Sequence, residues 1–466
     1  MSATAQRTVR RPPPDWIPAS VRDRRGRAIF LLGAAFSLFL VLVLWLHGGG
    51  LRNVATGPGG ALTSAGRLTG LIAADLLVIQ VVTMARIPWV ERVFGQDQLA
   101  RWHRYTGFTS FNLVLVHILL ITLGYASNDH RGMLGEAWNL ITTYPGMLLA
   151  TAGTVALIMV VVTSLRAARR RLRYESWHLL HLYAYLGIGL ALPHQIWTGQ
   201  DFVLTAPARL YWWTLYIAAA GSIVVFRIGV PVWRSLRHDL RVAAIVPETR
   251  GVTSIYLTGR HLDRLPVQAG QFFNWRFLSG PGWMRAHPYS LSAAPRPDQF
   301  RITVKDLGDD SKLVSRLRRG TRVIFEGPYG RMTANARQHH RLTLIACGIG
   351  ITPVRALIES EYYRPGDAVL IYRASSPEDF TFYREIDAIA RARGVVTIYL
   401  PGPRGHTTWL PAGYPDGASA LRQLAPAVAE SDVFVCGPEP WMDAVVDSLD
   451  RVGVPPDRIH LERFAW

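Results

Sequence analysis

The chain has 466 residues, 49% of them hydrophobic, with a formal net charge of +18 and only two cysteines. Two cysteines exclude a disulfide framework and leave no cysteine set for a zinc or iron–sulfur centre. The basic residues gather beside apolar runs rather than along one soluble face, which argues against nucleic acid and for a membrane.

Residues 1–27 form an arginine- and proline-rich tail with no small-residue cleavage site after it, so the first apolar run reads as a retained anchor. Six spans are predicted at 28–46, 67–86, 105–124, 146–165, 178–197 and 209–230. Basic clusters at 22–27, 86–104 and 166–173 place the N-terminus, the second and fourth connections and the exit of the last span in the cytoplasm. Residues 28–231 are thus expected to be a multi-pass domain in contact with plasma-membrane lipid.

Two of these spans carry paired histidines. His103 and His117 are fourteen residues apart, and His181 and His194 thirteen. Each pair covers about 20 Å of helix against a hydrocarbon core of about 30 Å. A lone histidine in a bundle is usually a hydrogen-bonded core group, but matched pairs in lipid point to ligation. They suit two haems stacked across the membrane, with His103 and His181 at the inner level and His117 and His194 at the outer. His117 returns to within about 40° of His103, whereas His194 falls about 140° from His181, a mismatch that a kink at Pro193 would relieve. His178, one turn before His181, is the rival ligand.

Beyond the spans the pattern becomes that of soluble protein. LRVAAIV, VTSIYLTG, QFFNWRF, FRITVKD and TRVIFEG, within 237–335, are short β-branched or aromatic segments separated by turn residues, and predict an antiparallel β-barrel. From 340 to 466 strands and helices alternate, predicting a parallel, doubly wound α/β Rossmann-like sheet. CGIGITP (347–353) and CGPEPWM (436–442) both follow strands and open helices, where glycines and free helix amides suit a nucleotide's phosphates.

HPYSLSAAP (287–295), EGPYG (326–330) and the terminal ERFAW complete a recognisable order. The barrel and α/β region resemble ferredoxin–NADP reductase modules. With the histidine pairs, residues 28–466 resemble the NADPH oxidase and ferric reductase family of transmembrane flavocytochromes b. The resemblance implies FAD held by His287, Pro288, Tyr289 and Ser290, with Tyr289 against the isoalloxazine or ribityl and Ser290 near N5; many soluble relatives have arginine in place of His287. It also implies that Lys305 and Gly308 to Ser311 cover the FAD pyrophosphate. Gly348, Gly350, Thr352 and Pro353 would line the nicotinamide nucleotide, and Cys436, Gly437 and Pro438 would lie beside the nicotinamide. Trp466 would cover the flavin until nicotinamide displaces it, making Trp466 and Cys436 the residues closest to catalysis. Arg373 and Ser375, assisted by Arg404, stand where a 2′-phosphate is read and favour NADPH, with NADH possible.

The resulting expectation is an oxidoreductase that passes electrons from cytosolic NADPH through FAD and two haems b to an outer acceptor. Dioxygen, giving superoxide, is preferred over a ferric chelate, with His130, Arg131 and Arg209 as candidate outer cations. An electron-supplying module for a quinone or partner protein is the alternative of another class. A transporter would leave the flavin and nucleotide motifs unused. No obligate protein partner is expected.

Overall fold

The computed structural model describes residues 19–466 except 173, 204, 281–282, 309–310, 312–313, 315, 406–407, 415 and 464–466. The chain divides into a helical unit, Arg27–Val90 with Asp97–Arg227, and a second unit comprising Met1–Gly26, Glu91–Gln96 and Ile228–Trp466.

The long helices are α1 (Ala19–His47), α2 (Pro58–Thr83), α3 (Gln96–Asn128), α4 (Met147–Ser164), α5 (Tyr174–Trp197) and α6 (Ala206–Ser222). Local signals set their starts: Pro58 occupies the first turn of α2, and the Thr205 hydroxyl accepts from the amide of Ala208 at the head of α6. From α6 the chain continues through a π-helical segment, Ile223–Gly229, into Val230–His238. Among the described residues, five helices are long and apolar enough to cross a membrane: those of α1 to α4 and the continuous Ala206–His238 rod. α5 is helical over the predicted fifth span but is not one of the five. Its histidines and polar first turn dilute its apolar character. Two boundaries also move. α3 begins at Gln96 and takes in Arg101 and Arg104, which the sequence reading leaves in a loop, and the last rod extends eight residues past 230. Side chains such as Leu32, Phe36, Val155 and Leu210 point outward, as a lipid-covered surface requires.

Small residues bring α2 and α3 into one antiparallel register. A Cβ on Gly59 would lie 2.0 Å from Asn128, one on Gly66 3.0 Å from Ile121, one on Gly70 2.5 Å from His117, and one on Gly107 2.8 Å from Gln80. α4 and α5 touch backbone to backbone, where a Cβ on Gly153 would lie 2.6 Å from the Gly187 carbonyl. Without a hydrophobic drive between helices in lipid, such close approach is what holds them.

In the second unit, β1 (Arg241–Thr249), β2 (Val252–Thr258) and β5 (Gln299–Lys305) form one antiparallel sheet, and β4 (His287–Ser290), β3 (Phe272–Phe277) and β6 (Val323–Tyr329) another. The sheets join at both edges, through Arg241 opposite Arg322 and Leu291 opposite Ile302. Their inner faces enclose Phe273, Trp275, Phe300 and Phe325.

The α/β region follows as β7 (Leu342–Cys347), α7 (Ile351–Ser360), β8 (Ala368–Ala374), α8 (Tyr383–Arg393), β9 (Val395–Pro401), α9 (Gly417–Leu424), β10 (Asp432–Cys436), α10 (Glu439–Arg451) and β11 (Ile459–Glu462). Its strands are parallel in the order β11-β10-β7-β8-β9. The order reverses between β7 and β10, which opens a crevice beyond their carboxyl ends. β4 and β11 are four residues each and too short for the hydrophobic pattern to announce.

Candidate functional site

The helical unit contains a cavity of about 1160 Å³, larger than the roughly 300–1,000 Å³ of an ordinary small-molecule pocket. His117 from α3 and His194 from α5 both line it. The His117 Nδ1 donates to the Gly66 carbonyl at 2.7 Å, and the His194 Nδ1 donates to the Ala191 carbonyl at 2.6 Å. A carbonyl only accepts, so each ring must carry its proton on Nδ1 and leave Nε2 as a free lone pair. A carbonyl bonded to the far ring nitrogen in this way fixes the tautomer and orientation of imidazoles that ligate metals. Gly146 (φ +79°) lets the chain pass His194, since a Cβ there would lie 2.7 Å from the His194 amide nitrogen. α5 continues as a helix through Pro193.

The other two histidines also meet. The His103 and His181 ring centroids are 5.8 Å apart at 66°. Two imidazoles sharing one iron at about 2 Å per bond would hold their centroids about 6 Å apart, so the spacing fits a bis-histidine haem. His181 Nδ1 lies 3.3 Å from Ser164 Oγ, and the Trp177 ring packs 5.1 Å away. It is His181, not His178, that is brought against His103. The ring of His178 lies 6.5 Å from that of Trp177.

Sequence spacing along single helices could not reveal Gly66, Gly70 or Ser164, because each acts on a histidine of another helix, whereas Trp177 stands one turn before His181 on α5 and is legible at that spacing but not singled out by the histidine pattern. It also missed Arg67, whose guanidinium makes two hydrogen bonds to Asp201, at 2.9 and 2.6 Å, on the wall of the histidine-lined cavity. His130, Arg131 and Arg209 are exposed and do not line that cavity.

In the second unit, β4 puts His287 and Tyr289 on one face, with ring centroids 5.9 Å apart and planes within 4°. Ser290 is buried and its hydroxyl has no hydrogen-bond partner among the described residues. Ser290 falls on the opposite face of the strand, and its orphaned buried hydroxyl fits a ligand that supplies the missing hydrogen bond, as the polar edge of a flavin would. Pro288 pairs with Asn274 across the sheet. Gly308 and Ser311 form a tight loop after Lys305, in which Ser311 Oγ accepts from the amides of Leu307 and Gly308 at 2.8 and 3.1 Å.

Both glycine turns lie at the β7–β10 crevice. Gly348 has φ +55°, and a Cβ on Gly350 would lie 2.2 Å from the Cys436 carbonyl. One on Gly437 would lie 2.9 Å from the Cys347 Cβ, so the turns pack too tightly for side chains. Thr352 and Pro353 are buried at the start of α7, and Pro438 caps α10. Burial pushes the Cys347 thiol up, while Arg373, Lys305 and Arg404 pull it down, so three cations from three segments converge on this edge. Arg373 is itself buried, donating to the Gly402 carbonyl at 3.1 Å and lying 3.7 Å from the Cys347 sulfur. Ser375 and Arg404 are exposed. Cys436 is wholly buried, which holds its thiol well above the usual range, next to the Glu462 carbonyl. Trp466 lies outside the described residues.

Residues 69–192 match the family described as ferric reductase like transmembrane component, and residues 344–447 match the oxidoreductase NAD-binding domain. A flavohemoprotein of Oceanobacillus iheyensis is 28% identical over 247 residues, 50% of this chain and 60% of that protein. The ferredoxin reductase component of 3-ketosteroid-9-alpha-monooxygenase from Mycolicibacterium smegmatis is 33% identical over 239 residues, 48% of this chain and 65% of that protein. The chain therefore spans less than two thirds of the length of either relative. Among solved structures, the flavohem-like FAD/NAD binding domain of nitric oxide dioxygenase from Vibrio cholerae aligns at a TM-score of 0.40 and 22% identity, over 49% of this chain and 99% of that one. The chain thus joins a ferric reductase-like transmembrane region to an oxidoreductase NAD-binding domain, an arrangement similar to that of the NADPH oxidase and ferric reductase family.

Proposed function

We propose that the chain carries electrons from cytosolic NADPH through FAD and two haems b to dioxygen on the outer face of the plasma membrane, forming superoxide. The observation that carries this reading is the pairing of four histidines, two with ring centroids 5.8 Å apart and two lining one cavity with Nδ1 tied to carbonyls. FAD and haem supply the change from a two-electron donor to single-electron steps.

The chain's part is to bind and orient. His103 with His181 and His117 with His194 would hold the two haems, which would supply single-electron transfer to an acceptor that need not bind the iron. His287, Tyr289 and Ser290 hold the flavin, and Lys305 with the loop from Gly308 to Ser311 faces its pyrophosphate. Gly348, Gly350, Thr352, Pro353, Gly437 and Pro438 line the nicotinamide nucleotide, with the backbone of Cys436 rather than its thiol at the nicotinamide. The cations converging near Cys347 favour a phosphate-rich dinucleotide and, with Ser375, NADPH. Trp466 shields the flavin between turnovers. The domains are a tail at 1–27, a six-span dihaem domain at 28–231 in which α5 is the fifth span, an FAD barrel at 237–335 and an NADPH domain at 340–466.

Two further acceptors have specific support. The match to a ferric reductase-like domain favours a ferric chelate. The relatives named as reductase components of monooxygenases favour a partner protein. The test is anaerobic reduction of the purified protein by NADPH, followed by admission of air or of ferric chelate while the haem band is watched. Rapid reoxidation in air with superoxide released supports dioxygen. Reoxidation by the chelate alone moves the assignment to ferric reduction, and slow reoxidation by both moves it to a partner.

A further inference from the structure

Asp75 lies in the middle of α2 and is fully buried. Its Oδ1 accepts from Ser37 Oγ of α1 at 2.7 Å and from the Tyr211 hydroxyl of α6 at 3.0 Å. Its Oδ2 is buried with no hydrogen-bond partner among the described residues. Five residues before it, Gly70 seats the His117 ring, and five residues after it, Gln80 packs on Gly107, one turn from His103. At 1.5 Å per residue, Asp75 stands about 7.5 Å along the axis from each of these contacts. A carboxyl group therefore sits at a depth between the two histidine levels, where an ionised side chain is expensive and marks function.

We propose that Asp75 binds one proton when haem in this bundle is reduced and releases it on reoxidation. The inference rests on the four-histidine ligation proposed above. Ferric iron carries one more positive charge than ferrous, which favours the carboxylate while the bundle is oxidised. Once an electron has arrived, the cost of burial favours the neutral acid. The balance per event is one electron added to iron and one proton taken from water onto the carboxylate, whose open position is Oδ2. Reoxidation sends the electron to the acceptor and the proton back to water. The titratable groups facing Asp75 are Tyr211 and Tyr216 of α6, and Tyr216 is engaged with Gln195 at 2.6 Å. Arg209 of α6 is exposed, and α1 has no ionisable side chain between Arg27 and His47.

The experiment is spectroelectrochemical titration of the full-length protein in nanodiscs at several pH values, with haem content measured on each sample. In the wild type, the haem midpoint should fall as pH rises, by at most about 59 mV per pH unit for one proton per electron. Asp75→Asn should keep both haems and lose most of that slope, and Asp75→Glu should keep it. An unchanged slope in Asp75→Asn, or a flat wild type, overturns the inference. Should Asp75→Asn fail to accumulate, the redox-difference infrared spectrum of the wild type decides. A carboxylic-acid carbonyl band that appears on reduction and shifts in D₂O supports it, and the absence of such a band overturns it. Loss of haem from the wild type itself would refute the ligand assignment instead.

Discussion

The residues that seat a cofactor are often those with no side chain. Gly70 has no chemistry of its own, yet any Cβ there would press on the His117 Nδ1 at 2.5 Å. Overpacking of this kind costs about 1–3 kcal/mol, and here the cost falls on the position of a proposed haem ligand. Gly70→Ala should lower haem toward one per chain while FAD content stays at wild type, as read by pyridine haemochrome and flavin absorbance. The nucleotide edge gives a second residue-scale contrast. Arg404 is exposed at the crevice, whereas Arg373 is buried and bonded to Gly402. A charge-assisted phosphate contact is worth roughly 1.5 kcal/mol or more, so Arg404→Ala should raise the Michaelis constant for NADPH about tenfold and leave NADH unchanged. Arg373→Ala should instead weaken both coenzymes and lower the melting temperature. Steady-state kinetics with the two coenzymes separates these outcomes.

The helices and most of the strands are legible from periodicity, and the histidines stand out because they interrupt apolar runs at matched intervals. What the pattern hides depends on neighbours remote in sequence. The α2–α3 register through Gly59, Gly66, Gly70 and Gly107 is invisible along either helix alone. So is the Arg67–Asp201 pair, separated by 134 positions. Arg373 looks like a surface cation in YRASS, and only the sheet shows its guanidinium turned inward. β11 is another such element, since four residues gain strand character only by pairing with β10. Asp432 of β10 helps fix this edge. Although burial opposes its charge, His460 Nε2 at 3.1 Å and the amides of Gln338 and His339 at 2.7 and 2.6 Å hold its carboxyl below the usual range. A lowered folded-state pKa stabilises the protein above the unfolded value of about 3.9, and the benefit disappears as pH falls through the folded value. Asp432→Asn should therefore melt earlier at neutral pH, by the equivalent of roughly 1–3 kcal/mol, with the gap closing in acid below about pH 4. Flavin fluorescence on heating at a series of pH values measures it.

At the scale of the whole molecule, the chain joins an apolar helical unit to a charged α/β module, and in the proposed function electrons cross from one chemistry to the other. The long α3 carries both His103 and His117 on one continuous helix of 33 residues. That makes α3 a ruler: covalent geometry, not the softer packing between helices, sets the interval between the two proposed haem levels. One residue inserted between His103 and His117 would swing His117 by about 100° toward lipid and abolish one level. Seven inserted at matching places in α3 and α5 would return each ligand to within about 20° of its original face while lengthening the gap by about 10 Å. Such a chain should bind two haems normally, yet pass electrons between them orders of magnitude more slowly, because tunnelling falls steeply with distance. Stopped-flow reduction by NADPH would then show one haem filling promptly and the other lagging. Distance alone would have become the rate-limiting part of the protein.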